Sequence, residues 1–261
     1  MVVLPVLASV FLQGFSGAVY ADVSSAYISS SGSVCDICPV AAQELDLSAD
    51  FGEWGELYWC GWLGSALHRH QRESHRELFF EFEMMTHYVR TWKLADEATL
   101  RTAVGWYNDP QIGYPEDSNA YHGPQAVVSL ENPYLTPYVD LVGIIDPGVF
   151  ARARVGLRRT VELNESWSLT PSVETVWSDR HRYQNLVGDL PGTVFLDGVF
   201  TSITANVRTE WRFAEQWSLY LNLAYLTTLD PDLRRVIKSR TEYWSKCDWP
   251  SVTVGIAYFW D

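Results

Sequence analysis

The chain is patterned at a period of two over most of its length, the spacing of extended strands with one apolar and one polar face. The sharpest case sets Val149, Ala151, Ala153, Val155 and Leu157 against Arg152, Arg154 and Arg158. The last stretch, Trp249 to Asp261, puts Val252, Val254, Ile256, Tyr258 and Trp260 on one face. Its other face is small or polar, from Ser251 through Thr253, Gly255 and Ala257 to Phe259. Ten such segments are predicted. The first begins at Leu45, Leu47, Ala49 and Phe51 and continues through Leu57 and Trp59 to about Gly61. The others centre on Leu78–Tyr88, Ala98–Trp106, Ala126–Leu130, Leu135–Leu141, Val149–Leu157, Trp167–Trp177, Val199–Phe213, Trp217–Tyr225 and the closing stretch.

The connections sort by length. Those after the second, fourth, sixth and eighth segments are tight: Lys93 to Glu97, Asn132-Pro133, Glu162 to Glu165 and Ala214 to Gln216. Long ones follow the first, third, seventh and ninth: about Trp62 to His75, Asn108 to His122, Asp179 to Leu196, and Asp230 to Asp248. Only Ile145 to Gly148 is short on the long side. Aromatics gather at both ends of the segments. Trp167, Trp211, Phe213, Trp217, Tyr258 and Trp260 lie by the short turns, and Trp59, Trp106, Trp177 and Tyr225 by the long loops. Amphipathic rings favour the two headgroup levels of a bilayer. A soluble sandwich has no reason for either sorting.

At its C-terminus the chain resembles the bacterial outer-membrane β-barrels. Thr253, Gly255, Tyr258 and Trp260 match in place the closing-strand signal by which that family is assembled, although Asp261 follows the final aromatic. The organisation is similar to small porin-like families of 10 to 12 strands, and Tyr58-Trp59-Cys60-Gly61 echoes their first-strand motif without its Arg. The resemblance implies an all-β fold, a transmembrane antiparallel up-and-down barrel of about ten strands, or twelve. It also implies an outer-membrane location and, as partners, the barrel-assembly machinery, membrane lipid and lipopolysaccharide.

Met1 to Ala21 carry no charge, and Val19-Tyr20-Ala21 offers a small-residue cleavage site, so residues 1–21 read as a signal peptide. Residues 22–44, Ser-rich and without a period, read as a flexible periplasmic lead-in, and 45–261 as the barrel.

Composition narrows the partners. The chain has 261 residues, a net charge of −13 and aromatics at 14%. That acidity argues against nucleic acid, whose phosphates need a basic footprint. Mean hydropathy is −0.09. With no long apolar run after the first 20 residues this excludes a helical bundle, while a barrel's alternating faces average to such a value.

The inward face is predicted to hold Glu77, Glu81, Glu83, Asp140, Glu174 and Glu210 with Arg101, Arg152, Arg154, Arg158, Arg208 and Arg212. Buried lone charges cost several kcal/mol, so these groups are expected to pair, filling a narrow barrel more readily than forming a selective constriction. His68, His70 and His75 read as a solvated loop rather than a metal set, and no metal or cofactor is indicated. Asp179 and His181 stand where rim hydrolases of this architecture work, but the pair is common in polar loops, and no enzyme is expected. Arg234, Arg235, Lys238, Arg240 and Lys246 form a basic patch in the last long loop, suited to lipopolysaccharide phosphates or balanced by neighbouring acids.

Cys35 and Cys38 form a CxxC followed by Pro39, which reads as a local disulfide rather than a redox motif. Because the first and last strands of a closed barrel pair, Cys60 and Cys247 are expected to bridge the seam. The function expected is a porin-like passive channel for small solutes. A structural or surface-binding barrel acting through its long loops is the alternative, followed by a rim hydrolase.

Overall fold

A computed structural model describes residues 15–28, 34–36, 39–67, 80–109, 121–145, 150–179, 198–239 and 247–260. Twelve strands close into one antiparallel barrel. They are β1 (Phe15–Ser24), β2 (Val40–Asp50), β3 (Glu56–Ala66), β4 (Phe80–Ala95), β5 (Ala98–Asp109) and β6 (Tyr121–Glu131). The circuit continues through β7 (Thr136–Ile144), β8 (Phe150–Arg158), β9 (Trp167–Asp179), β10 (Gly198–Ala214), β11 (Trp217–Thr228) and β12 (Asp248–Trp260). Each pairs with its sequence neighbours, and β1 closes the ring on β12 with Gly17 opposite Trp260 and Ser24 opposite Thr253. A short pair, Tyr27–Ile28 with Val34–Asp36, stands outside the barrel, and Val161–Glu162 extends the sheet beside β9. Among the described residues one α-helix, α1 (Pro231–Ser239), lies between β11 and β12.

The two faces separate as the period-two pattern requires. Val19, Val104, Val128, Leu141, Val155, Val207, Leu221, Leu223 and Val254 are all exposed on the outside. Such a continuous apolar surface belongs in lipid, since water-facing apolar patches on soluble monomers rarely exceed a few hundred Å². Trp167 and Trp211 stack at 5.8 Å and Trp217 meets Tyr258 at 4.8 Å, forming part of an aromatic girdle at the short-turn end. The tight turns are built by side chains that stand in for backbone acceptors. Asn132 Oδ1 takes the N–H groups of Tyr134 and Leu135, and Asn164 Oδ1 those of Ser166 and Trp167.

Twelve strands rather than ten follow from two corrections, both near the N-terminus. The segment expected to run from Leu45 to Gly61 is a hairpin, β2 and β3, bent at residues 51–55, where Gly52 and Gly55 have φ of 62° and 102°. Asp50 faces Glu56 across this bend, so odd-numbered residues point outward on both sides and the alternation runs through without a break. The second correction concerns Phe15–Ser24, divided by the sequence reading between signal peptide and lead-in. It is the seam strand: Phe15, Val19 and Val23 face outward, and Ser16, Tyr20, Asp22 and Ser24 fall on the inward parity. Residues 15–24, ahead of residue 45, are therefore part of the barrel, and a cut after Ala21 would divide β1.

The expected Cys60–Cys247 bridge is overturned by the same change. Both thiols are free. Cys60 lies within β3, three strand positions from β12, or about 14 Å at ~4.8 Å per strand. A disulfide needs Cα atoms within about 7 Å. Cys38 lies outside the described residues, and with it the expected Cys35–Cys38 pair.

Candidate functional site: the charged lumen

Strand register carries polar residues of neighbouring strands onto the same inward face. Arg154 lies opposite Asp140, Gly156 opposite Tyr138, and Asp46 opposite Cys60. These walls bound a cavity of about 560 Å³, reached by Asp22, Glu44 and Glu83 on one side and by Arg154, Asn206 and Arg208 on the other.

Around Arg154 the groups form a continuous network. Arg154 donates from Nη2 to Asp140 Oδ2 at 2.7 Å, and its Nη1 lies 4.0 Å from Glu174 Oε1. Tyr138 donates to the other Glu174 oxygen at 2.5 Å. Gln125 donates to Asp140 Oδ1 at 2.8 Å, and its own carbonyl oxygen lies 3.1 Å from His87 Nε2. Asp140 is only 4% exposed, so both of its oxygens are removed from water and both are satisfied by protein. Arg152 lies over the Tyr107 ring at 5.4 Å, and Tyr107 donates to Glu83 at 3.1 Å.

Arg208 is held differently. Its guanidinium stacks over Tyr220 at 4.1 Å and lies 5.7 Å from the Tyr20 ring, with Glu210 on the same strand at 3.0 Å. Tyr220 crosses β12 to donate to Asp22 Oδ2 at 2.8 Å, tying β11 to β1 over the last strand. Gly255 is what it crosses: a Cβ there would collide with the phenol end of the Tyr220 side chain. The glycine of the expected assembly signal is thus also the floor beneath a closing contact. Thr253 shares a hydrogen bond with Ser24 at 2.7 Å across the same seam, while Tyr258 and Trp260 stack at 6.0 Å.

The other expected lumen charges divide. Arg101 reaches Glu56 at 3.5 Å, Arg158 lies 5.9 Å from the Tyr138 ring, and Arg212 holds an exposed inward position at the short-turn end. Glu77 and the side chain of Glu81 lie outside the described residues, as do His68, His70, His75, His181, Arg240 and Lys246. Asp179, expected at the rim, accepts the Ala151 N–H at 2.5 Å. In the last long loop Arg234 is paired with Asp248 at 2.6 Å and Arg235 with Asp232 at 2.8 Å, so two of the patch's cations already have carboxylate partners.

The sequence reading missed Asp22, Glu44, Asp46 and Glu56, because it drew the barrel boundary too late and ran β2 into β3. The alternation Ser16, Tyr20, Asp22, Ser24 against Val19 and Val23 was the available signal. It also missed that ligand atoms of Glu44, Asp46 and Cys60 lie within 4.8 Å of one another.

By fold and by the sorting of its faces, the chain is a closed antiparallel β-barrel with a lipid-facing exterior. The solved structures it resembles include the COG4313 outer membrane channel from Pseudomonas putida F1, at 13% identity and a TM-score of 0.53, with 95% of each chain covered. A second is the CymD monoaromatic hydrocarbon channel, at 9% identity and a TM-score of 0.50, covering 95% of this chain and 88% of that one. A KdgM porin is similar over 94% of this chain and 99% of its own, at 12% identity and a TM-score of 0.48. No protein-family model matches the sequence. No curated protein matches it either.

Proposed function

We propose that the protein is a porin-like channel through which small hydrophilic solutes cross the bacterial outer membrane passively. The observation that carries this reading is the inward face. A polar interior suits a barrel filled by paired charges as well as a channel, so the space left between the inward groups is what supports a channel. Here the largest buried apolar cluster among the described residues is Tyr107, Val142 and Ile144, while Asp140, Gln125, His87, Ser202 and Ser218 are buried polar groups. Two more strands than expected also widen the ring, since barrel diameter grows with strand number. The cavity of about 560 Å³ at its centre is polar-lined and of small-molecule size. On this reading Thr253, Gly255, Tyr258 and Trp260 present the closing strand to the assembly machinery, and the long-loop end meets lipopolysaccharide.

Recording from the purified protein in planar bilayers tests the proposal. Discrete conductance steps in salt are expected. A barrel that inserts, shown by heat-dependent gel mobility, and yet passes no current would defeat it.

A further inference from the structure

The lumen is filled on one side and hollow on the other. The cavity of about 560 Å³ is lined from β1–β4 and β8–β12, and by no residue of β5, β6 or β7 among the described residues. On those three strands the inward side chains are shut away. Ala103 and Tyr107 on β5, Gln125 and Ser129 on β6, and Asp140 and Val142 on β7 are each no more than 9% exposed. Three of them belong to hydrogen-bonded chains: Gln125 bridges His87 to Asp140, Asp140 accepts from Arg154, and Tyr107 donates to Glu83 beneath Arg152. On the hollow side the wall residues Ser172, Thr204, Asn206, Asn222 and Thr253 are half-buried instead.

Buried polar groups divide in the same way. Among the described residues, no buried side-chain nitrogen or oxygen on β4–β7 lacks a hydrogen-bond partner. Those that do lack one lie on β2 and β8–β12, and include Arg154 Nε and the side-chain oxygens of Asn206 and Asn222 at the cavity wall. A buried polar atom with no protein partner is ordinarily met by water. The hollow side therefore keeps bonding capacity for water or a polar solute, and the filled side has spent its own.

We propose that the permeation path is eccentric. Solutes pass against the β9–β12 wall, and Ser172, Thr204, Asn206, Asn222 and Thr253 are the residues that determine what can pass. The β5–β7 wall is sealed and takes no part in selection. The inference rests on the channel reading and goes beyond it by assigning specificity to one sector of the ring. Its physics is that a fully partnered buried network opens only by breaking several bonds together, so it stays shut. Hydroxyl and amide side chains, by contrast, donate and accept and can bond a passing solute one group at a time.

The test places single cysteines in the full barrel, with the native ones replaced (Cys35→Ser, Cys38→Ser, Cys60→Ala, Cys247→Ala). Thr204→Cys, Asn222→Cys and Thr253→Cys probe the hollow side, and Ala103→Cys and Ser129→Cys the filled side. Ser172→Cys stands in for any cavity variant that does not insert, and Val142→Cys for any sealed one. Each is recorded in planar bilayers while a cationic methanethiosulfonate reagent is added, and labelling is read by mass. The cavity variants should be labelled and lose current by about twofold or more, because the added group narrows the path. The sealed variants should keep their current and be labelled only after unfolding in urea. Labelling of Ala103→Cys or Ser129→Cys with loss of current in the folded barrel would overturn the eccentric path and leave the channel intact. So would labelling of the cavity variants without change of current, or a conducting barrel in which no position is labelled. An inserted parent barrel that passes no current would overturn both readings.

Discussion

Arg154 and Arg208 reach into the same cavity from strands two apart, and they are anchored by opposite means. Arg154 sits in a web of carboxylates and amides running from His87 through Gln125 and Asp140 to Glu174. Arg208 rests on the face of Tyr220, and its carboxylate neighbour Glu210 is on its own strand. In the web, charge is neutralised in place and every member depends on the others. At the seam the aromatic ring attracts the cation without cancelling its charge, leaving more of its field for the lumen. The first arrangement rigidifies the wall. The second closes the barrel and keeps a cation available.

The sharpest way to break this contrast is to remove one carboxylate from each arrangement. Asp140→Ala strips Arg154 of its shorter ion pair and leaves the Gln125 amide without an acceptor. Loss of about 3–5 kcal/mol is expected, as for other broken buried pairs. Glu210→Ala takes only a part-exposed partner from Arg208, and about 0–1 kcal/mol is expected. Urea unfolding in lipid vesicles, followed by tryptophan fluorescence, measures both, and equal losses would mean the two arginines are held alike.

A smaller effect is expected at the seam. Gly255→Ala puts a methyl under the Tyr220 ring, and displacing that ring should cost about 1–3 kcal/mol in the same assay. Tyr220→Phe keeps the seat for Arg208 but loses the bond to Asp22, a loss of about 0.5–1.5 kcal/mol. If Tyr220→Phe proved more damaging than Gly255→Ala, the hydrogen bond rather than the crossing would be what closes β11 onto β1.

The smallest effects concern the thiols. In a Cys35→Ser, Cys38→Ser background, reducing agent should change neither gel mobility nor the unfolding midpoint, because Cys60 and Cys247 are unbridged. Burial pushes the Cys247 thiol up from its ordinary range, Asp248 pushes it the same way, and Arg234 and Lys238 pull it down. The neutral thiol therefore persists to higher pH than in free cysteine. Alkylation at pH 8 should be slower than for a free thiol, and its rise with pH should come later. A rate equal to that of free cysteine would place Cys247 in open water.

How far the fold could be read in advance depended on which face carried the contrast. Across Val149–Arg158 the alternation of Val and Leu with Arg was plain because lipid and lumen select opposite residues. At Phe15–Ser24 it was veiled, since Ala18 and Tyr20 at inward positions made the stretch read as one apolar run. Around residues 51–55 the pattern passed through the bend in phase, and only the glycines marked it. The inward arginines were legible from parity alone. Their partners were not, because Tyr138 and Tyr220 are brought to Arg158 and Arg208 by the register between neighbouring strands, which parity alone does not fix.

Unaided, the sequence settled the alternation of faces, the sorting of loops and the aromatic girdle, since each depends on residues close together in the chain and on the solvent each face meets. Only the closed ring decided that β1 lies against β12, that Tyr220 can cross Gly255, and that Arg208 lies over rings from both β11 and β1. These are matters of strand number and register, fixed when the ends of the sheet meet and invisible to any local window of residues.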